Sequence, residues 1–195
     1  DYGTQVTDST AFELQFRVTD TAVDSVRQKL YVTDKQAKRL YLVDLLTGET
    51  EKYFEFDFMP ENMTVSQDSS RLYVSLLKQE HSMYWYTEDQ SGYIAVFDLA
   101  EQAKINVYSV PTDPFDLVIN QQNKLIVSSG SGQHTRIYAL NGLNGNVFSY
   151  TDIYQKGILD LHPTGNTVFA ADTGSYPSDF EKFDISSDDI EALGD

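Results

Sequence analysis

Hydrophobic and polar positions alternate along most of the chain in short runs separated by polar turns. From Leu40 an apolar run ends in Asp44 and passes into the turn Leu46-Thr47-Gly48-Glu49. A second extended run, Lys52 to Phe58, leads to Pro60, and two more, Met63 to Val65 and Leu72 to Ser75, flank the polar turn Ser66-Gln67-Asp68-Ser69-Ser70. Short β-branched and aromatic runs bounded by such turns predict strands joined by hairpins. Phe12 to Val18 alternates apolar and polar residues without a break, the pattern of a half-buried strand. No segment has convincing helical periodicity, and residues 186–195 predict one turn of helix at most. Residues 1–10, small and polar, predict an N-terminal tail.

The pattern then repeats. Leu30-Tyr31-Val32-Thr33, Leu72-Tyr73-Val74-Ser75, Leu125-Ile126-Val127-Ser128 and Val168-Phe169-Ala170-Ala171 align, each preceded by a polar turn. A second column follows them, at Leu40–Asp44, Ile94–Asp98, Ile137–Asn141 and Phe180–Asp184. A third lies at 51–56, 104–110 and 146–151, and short strands before the polar turns supply a fourth. Four short strands per period of ~40–45 residues is the pattern of propeller blades. The predicted fold is an all-β propeller of four-stranded antiparallel blades filling residues 11–195, with blade repeats near 19–58, 59–112, 113–154 and 155–190. The fourth repeat lacks an evident outer strand, and Phe12 to Val18 is the candidate to supply it and close a ring.

Tyr31-Val32-Thr33-Asp34, with the run from Val43-Asp44 through Thr47-Gly48 and Pro60 to Leu72-Tyr73-Val74, resembles the repeat of YVTN-type β-propellers. The resemblance covers about residues 20–185. It implies a seven-bladed ring of which four blades are visible here, with a closed four-bladed ring as the alternative. The family spans many functions, so the resemblance leaves the chemistry open.

Composition agrees with strands and adds charge. The chain holds 13 Tyr and 11 Phe beside one Trp, and aromatic residues suit a pleated, half-buried surface. A formal net charge of −16 disfavours duplex nucleic acid and anionic membranes as partners and favours a soluble, acidic surface. With no Cys, disulfides, Cys-zinc sites and thiol catalysis are excluded. No apolar run approaches the ~18 residues of a spanning helix, so membrane insertion is not expected.

Three stretches are candidates for chemistry. The second repeat carries an enlarged loop between Ser75 and Tyr93 holding His81, Tyr84, Trp85, Tyr86 and Asp89. Clustered aromatics in a long loop suit protein or polysaccharide recognition, although an extended hairpin covering the next blade would use the same residues. His134 falls in the equivalent loop of the third repeat and Tyr176 in that of the fourth, so the three loops form one candidate partner-binding face. The stretch Ser128–His134 is not a nucleophile elbow, since it joins two strands. Asp20, Asn62 and Asp116 stand in register at the start of the innermost strands, with Ile158 at the fourth position. Oxygens converging on a channel suit a divalent cation such as calcium; capping of local backbone donors is the competing use. The reading that follows is a non-enzymatic binding or scaffold module of an exported or cell-surface prokaryotic protein, extracellular or periplasmic. A lactonase-like enzyme with a divalent metal in the channel mouth, and a structural spacer of a surface layer or adhesin, are the alternatives.

Overall fold

A computed structural model describes residues 11–82, 90–173 and 178–194. The described residues fold into four antiparallel sheets of four strands with no helix. Blade 1 is β1 (Asp20–Asp24), β2 (Lys29–Asp34), β3 (Arg39–Asp44) and β4 (Thr50–Glu55); blade 2 is β5 (Met59–Val65), β6 (Arg71–Leu77), β7 (Gly92–Asp98) and β8 (Ala103–Val110). Blade 3 is β9 (Pro114–Ile119), β10 (Lys124–Ser129), β11 (Thr135–Asn141) and β12 (Val147–Ile153). Blade 4 is β13 (Gly157–Leu161), β14 (Thr167–Asp172), β15 (Phe180–Asp184) and β16 (Glu191–Ala192). Each sheet runs in sequence order from inner to outer strand. The inner strands lie side by side as β1, β5, β9 and β13, and among the described residues no strand pairing joins β13 back to β1. The architecture is that of a β-propeller of four blades not closed by hydrogen bonds.

Recurring Asp and Asn side chains shape the hairpins. Asp44 Oδ1 accepts from the Leu46 and Thr47 backbone N–H groups at 2.9 and 3.0 Å, Asp98 makes the same two bonds one blade on, and Asn141 Oδ1 accepts from Leu143 N–H two blades on. A short acceptor that bonds two residues ahead turns the chain where strand three must end. Gly48 then takes φ +73°, a left-handed conformation costly for other residues.

The core lies between blades rather than inside one. Leu40 and Leu42 meet Leu72, Val74 and Phe97; Tyr73, Ile94 and Val96 meet Leu117, Leu125 and Leu140; Ile126 and Ala139 meet Val168, Ala170 and Phe183. A strand between two neighbours is therefore buried on both faces, which is why the middle runs read as continuous apolar stretches.

Two expectations are corrected. Phe12 to Val18 forms no strand and does not complete blade 4. Its Leu14 and Phe16 instead pack on the outward face of blade 1, against Val32, Tyr41 and Val43. Its alternation is real, but it serves face-on packing rather than edge pairing. The outer strand of blade 4 is β16, paired to β15 through Phe183–Ala192 and Asp184–Glu191, within the stretch expected to be at most a helical turn. Two residues are too few to show a period of two, and the neighbouring buried Ile185 and Ile190 do the anchoring.

Candidate functional site

The propeller has two rims. The β1–β2 and β3–β4 turns and their equivalents occupy one; the β2–β3, β6–β7 and β10–β11 loops and the links between blades occupy the other. The second rim carries the candidate site, built where three blades meet. His81, in the enlarged β6–β7 loop, lies between two carboxylates: Nδ1 is 2.6 Å from Asp113 Oδ2 and Nε2 is 2.6 Å from Glu61 Oε2. Asp113 belongs to the link entering blade 3 and Glu61 to β5. Ser131 of the β10–β11 loop also donates to Asp113 Oδ2. Lys35 of the β2–β3 loop reaches Glu61 at 2.9 Å and Glu80 at 2.5 Å. Loops of blades 1, 2 and 3 are thus tied by one charged chain.

The protonation follows from this geometry. Burial alone would depress the His81 imidazole, but hydrogen bonds to Asp113 and Glu61 and their charges outweigh it and raise its pKa to about 9. The ring is an imidazolium at neutral pH, donating from both nitrogens. Burial pushes the Glu61 carboxyl up, yet the bond from His81 and the charges of His81 and Lys35 hold it below its ordinary value. Gly130 makes room for the ring: a Cβ there would fall 2.0 Å from His81 Cε1. The Ser82 carbonyl accepts from Gly132 N–H at 2.8 Å, fixing the two loops together.

Two hollows flank the clamp. One, of about 270 Å³, lies between blades 2 and 3 and is lined among others by Thr112, Asp113, Ser131, His134, Arg136 and Tyr138. The other, of about 260 Å³, is lined among others by His81, Gly130, Gln155, Lys156 and Thr173. His134 therefore borders the first hollow and His81 the second, while Asp113 touches both His81 and the first. Tyr84, Trp85, Tyr86, Asp89 and Tyr176 lie outside the described residues. Asp113 and Glu61 were missed by the sequence reading, because their partner is remote in the chain; a buried Asp-Pro link beside an inner strand was the one local signal.

The polar column at the start of the inner strands has a definite structural use. Asp20 Oδ2 accepts from Met63 N–H of the next blade at 2.7 Å. Asn62 Nδ2 donates to the Phe115 carbonyl at 2.7 Å, and Asp116 Oδ2 accepts from Leu159 N–H at 2.8 Å. Each side chain stitches its blade to the following one. Burial raises the pKa of both Asp20 and Asp116 against the lowering pull of these backbone donors. The column rings a hollow of about 420 Å³ with Glu61 and Ile158, but a cation there would compete with backbone N–H groups for the same oxygens. Among the described residues no group of three or more Asp, Glu or His side chains is placed to hold a metal ion.

Comparison with known proteins gives the class. No protein-family model matches the chain, and no curated protein sequence matches it. Solved structures do. The chain is similar to Kuenenia stuttgartiensis hydrazine synthase, with a TM-score of 0.72 at 16% identity over 97% of this chain and 53% of that one. It is also similar to a functionally unknown protein from Desulfotomaculum acetoxidans DSM 771, with a TM-score of 0.69 at 15% identity over 93% of this chain and 56% of the other. The chain spans about half the length of these structures. At such identity the likeness concerns the fold: a propeller-type arrangement of four-stranded blades.

Proposed function

We propose that this propeller is a binding module of the YVTN-type repeat class, in an exported or cell-surface setting, and that it grips a protein or polysaccharide partner through the rim of β2–β3, β6–β7 and β10–β11 loops. The observation that carries the reading is the Lys35–Glu61–His81–Asp113–Ser131 chain. It joins loops of three blades into one fixed platform and anchors the base of the aromatic-rich second-blade loop. A pre-organised surface spends less binding free energy on ordering loops, and aromatic anchors supply most of what is gained.

The test is binding of the purified chain to arrayed polysaccharides and proteins. Lys156→Glu and the double change Trp85→Ala, Tyr86→Ala are expected to weaken a captured partner at least about tenfold, the scale of one lost anchor. His162→Ala, at the opposite rim, is expected to leave binding unchanged. Binding that survives both loop-rim variants but falls with His162→Ala would overturn the proposal.

A further inference from the structure

The links entering the blades share a ring position that one blade lacks. Four residues before Asp20, Asn62, Asp116 and Ile158 stand Phe16, Phe58, Thr112 and Tyr154. Phe16 stacks on Tyr41 of blade 1 with centroids 3.8 Å apart and planes 5° from parallel. Phe58 stacks on Tyr93 of blade 2 at 4.7 Å, and Tyr154 meets His134 edge-on at 5.1 Å. Thr112 is the exception.

Blades 1 and 3 show what the exception does, because their surroundings otherwise match. In blade 1 Arg39 covers the Tyr53 ring at 4.2 Å, pairs with Glu55 and adjoins Tyr41. In blade 3 Arg136 covers the Tyr150 ring at 4.3 Å, pairs with Asp152 and adjoins Tyr138. The preceding links match as well: Phe12 lies over Gly48 as Tyr108 lies over Gly145, and Leu14 and Val110 both pack on the blade face. Two residues further on, the matching ends. Blade 1 has Phe16 on Tyr41, whereas blade 3 has Thr112, and the 270 Å³ cleft opens beside Tyr138.

A carboxylate adjoins this ring-sized place. Asp113 is more than nine-tenths buried and lines the cleft. Its Oδ2 accepts from His81 and Ser131, while its buried Oδ1 has no hydrogen-bond donor among the described residues. Three neighbouring hydroxyls are directed elsewhere or to Oδ2: Thr112 donates to Ser129 at 2.5 Å, Ser129 to the Arg136 carbonyl at 2.9 Å, and Ser131 to Asp113 Oδ2. A buried carboxylate oxygen without a donor is costly, and an entering group that donates to Oδ1 would satisfy it. The acidic protein as a whole attracts cations.

We propose that this cleft receives an aromatic ring carrying an ammonium group, with the ring against Thr112 and Tyr138 and an ammonium N–H donated to Asp113 Oδ1. The proposal rests on the reading of this rim as a binding face and gives one of its sites a ligand class. Ring packing on tyrosine and a charge-assisted bond to carboxylate act together there.

The test is titration of the whole chain with 2-phenylethylammonium, followed by amide chemical shifts. Saturable shifts are expected at 111–113 and 129–136. The neutral 2-phenylethanol and the ringless n-butylammonium are each expected to bind at least about tenfold more weakly, the scale of one charged hydrogen bond or one ring contact. Thr112→Phe restores the ring that Phe16 and Phe58 supply elsewhere; it is expected to keep the fold and abolish the shifts. Should Thr112→Phe not fold, Asp113→Asn is expected to weaken binding at least about tenfold while His162→Ala, at the opposite rim, retains it. Absent saturation in the unaltered chain, equal binding by 2-phenylethanol, or undiminished binding by Thr112→Phe would each overturn the proposal. A failed amine titration beside partner capture that still depends on Lys156 sinks this inference alone; amine binding beside partner capture indifferent to the loop rim sinks the wider reading alone.

Discussion

Blade 2 and blade 4 are built from the same repeat, yet their sheets meet their surroundings differently. In blade 2, β6 is buried at every position from Leu72 to Leu77. In blade 4, β14 alternates between buried and half-buried positions, and β13 alternates between buried and exposed ones. Ile158 is 51% exposed and Phe180 63% exposed on the forward side, where Phe180 stacks on Phe169 at 5.7 Å. The stitching residues also stop there. Asp20, Asn62 and Asp116 each reach the next inner strand, while the fourth position is Ile158. At the opposite end blade 1 is treated unlike either, since its outward face is covered by Leu14 and Phe16. A blade thus draws its stability from its neighbours, and position in the row decides the worth of a given apolar residue.

That comparison can be broken or sharpened by mutation. The largest effect is expected for Leu72→Ala, fully buried between blades 1 and 2; it should cost about 2–5 kcal/mol by denaturant unfolding, as for other core truncations. Ile158→Ala should cost under about 0.5 kcal/mol, the surface value, and equal costs would refute the contrast. Gly130→Ala places a methyl group on the His81 ring and should cost about 1–3 kcal/mol through overpacking, with shifts confined to the loops at 78–82 and 129–134.

Next come the stitches. Asp116→Ala should cost about 1–3 kcal/mol by leaving the Leu159 N–H without its acceptor, whereas Ile158→Asp should change stability little. Calcium titration sharpens the same point: because the column oxygens already accept backbone N–H groups, millimolar calcium should leave the melting temperature of the chain unchanged. A concentration-dependent rise abolished by Asp116→Ala would establish a metal site there instead.

A separate effect concerns pH. His81 titrates higher in the folded chain than its ordinary 6.5, at about 9. Its stabilisation is therefore fully present below about 6.5 and lost as pH rises through about 9. Glu61 has the opposite sign: its pKa lies below its ordinary 4.5, so its contribution is present above 4.5 and lost as pH falls through the lowered value. Melting temperature against pH should show a plateau between these limits, and His81→Gln should flatten the alkaline decline.

The sequence by itself determined the local grammar of this protein. Strand identity follows from alternating and continuous apolar runs, and the hairpin turns follow from Asp44, Asp98 and Asn141, whose short side chains bond the backbone just ahead. The period of the repeat then fixes blades, because four such strands have one compact way to pair in order. Local chemistry could not determine what each blade packs against. That Phe12–Val18 covers a face instead of completing an edge, that two residues suffice for β16, and that Asp20 and Asp116 reach into the following blade all depend on neighbours tens of residues away. The same holds for the site. His81 and His134 were legible as loop residues, but the partners of His81, Glu61 and Asp113, lie in other strands and links and are brought to it by blade stacking. Thr112 is an unremarkable threonine in the sequence; only beside Phe16, Phe58 and Tyr154 in three dimensions does it become the position where a ring is missing.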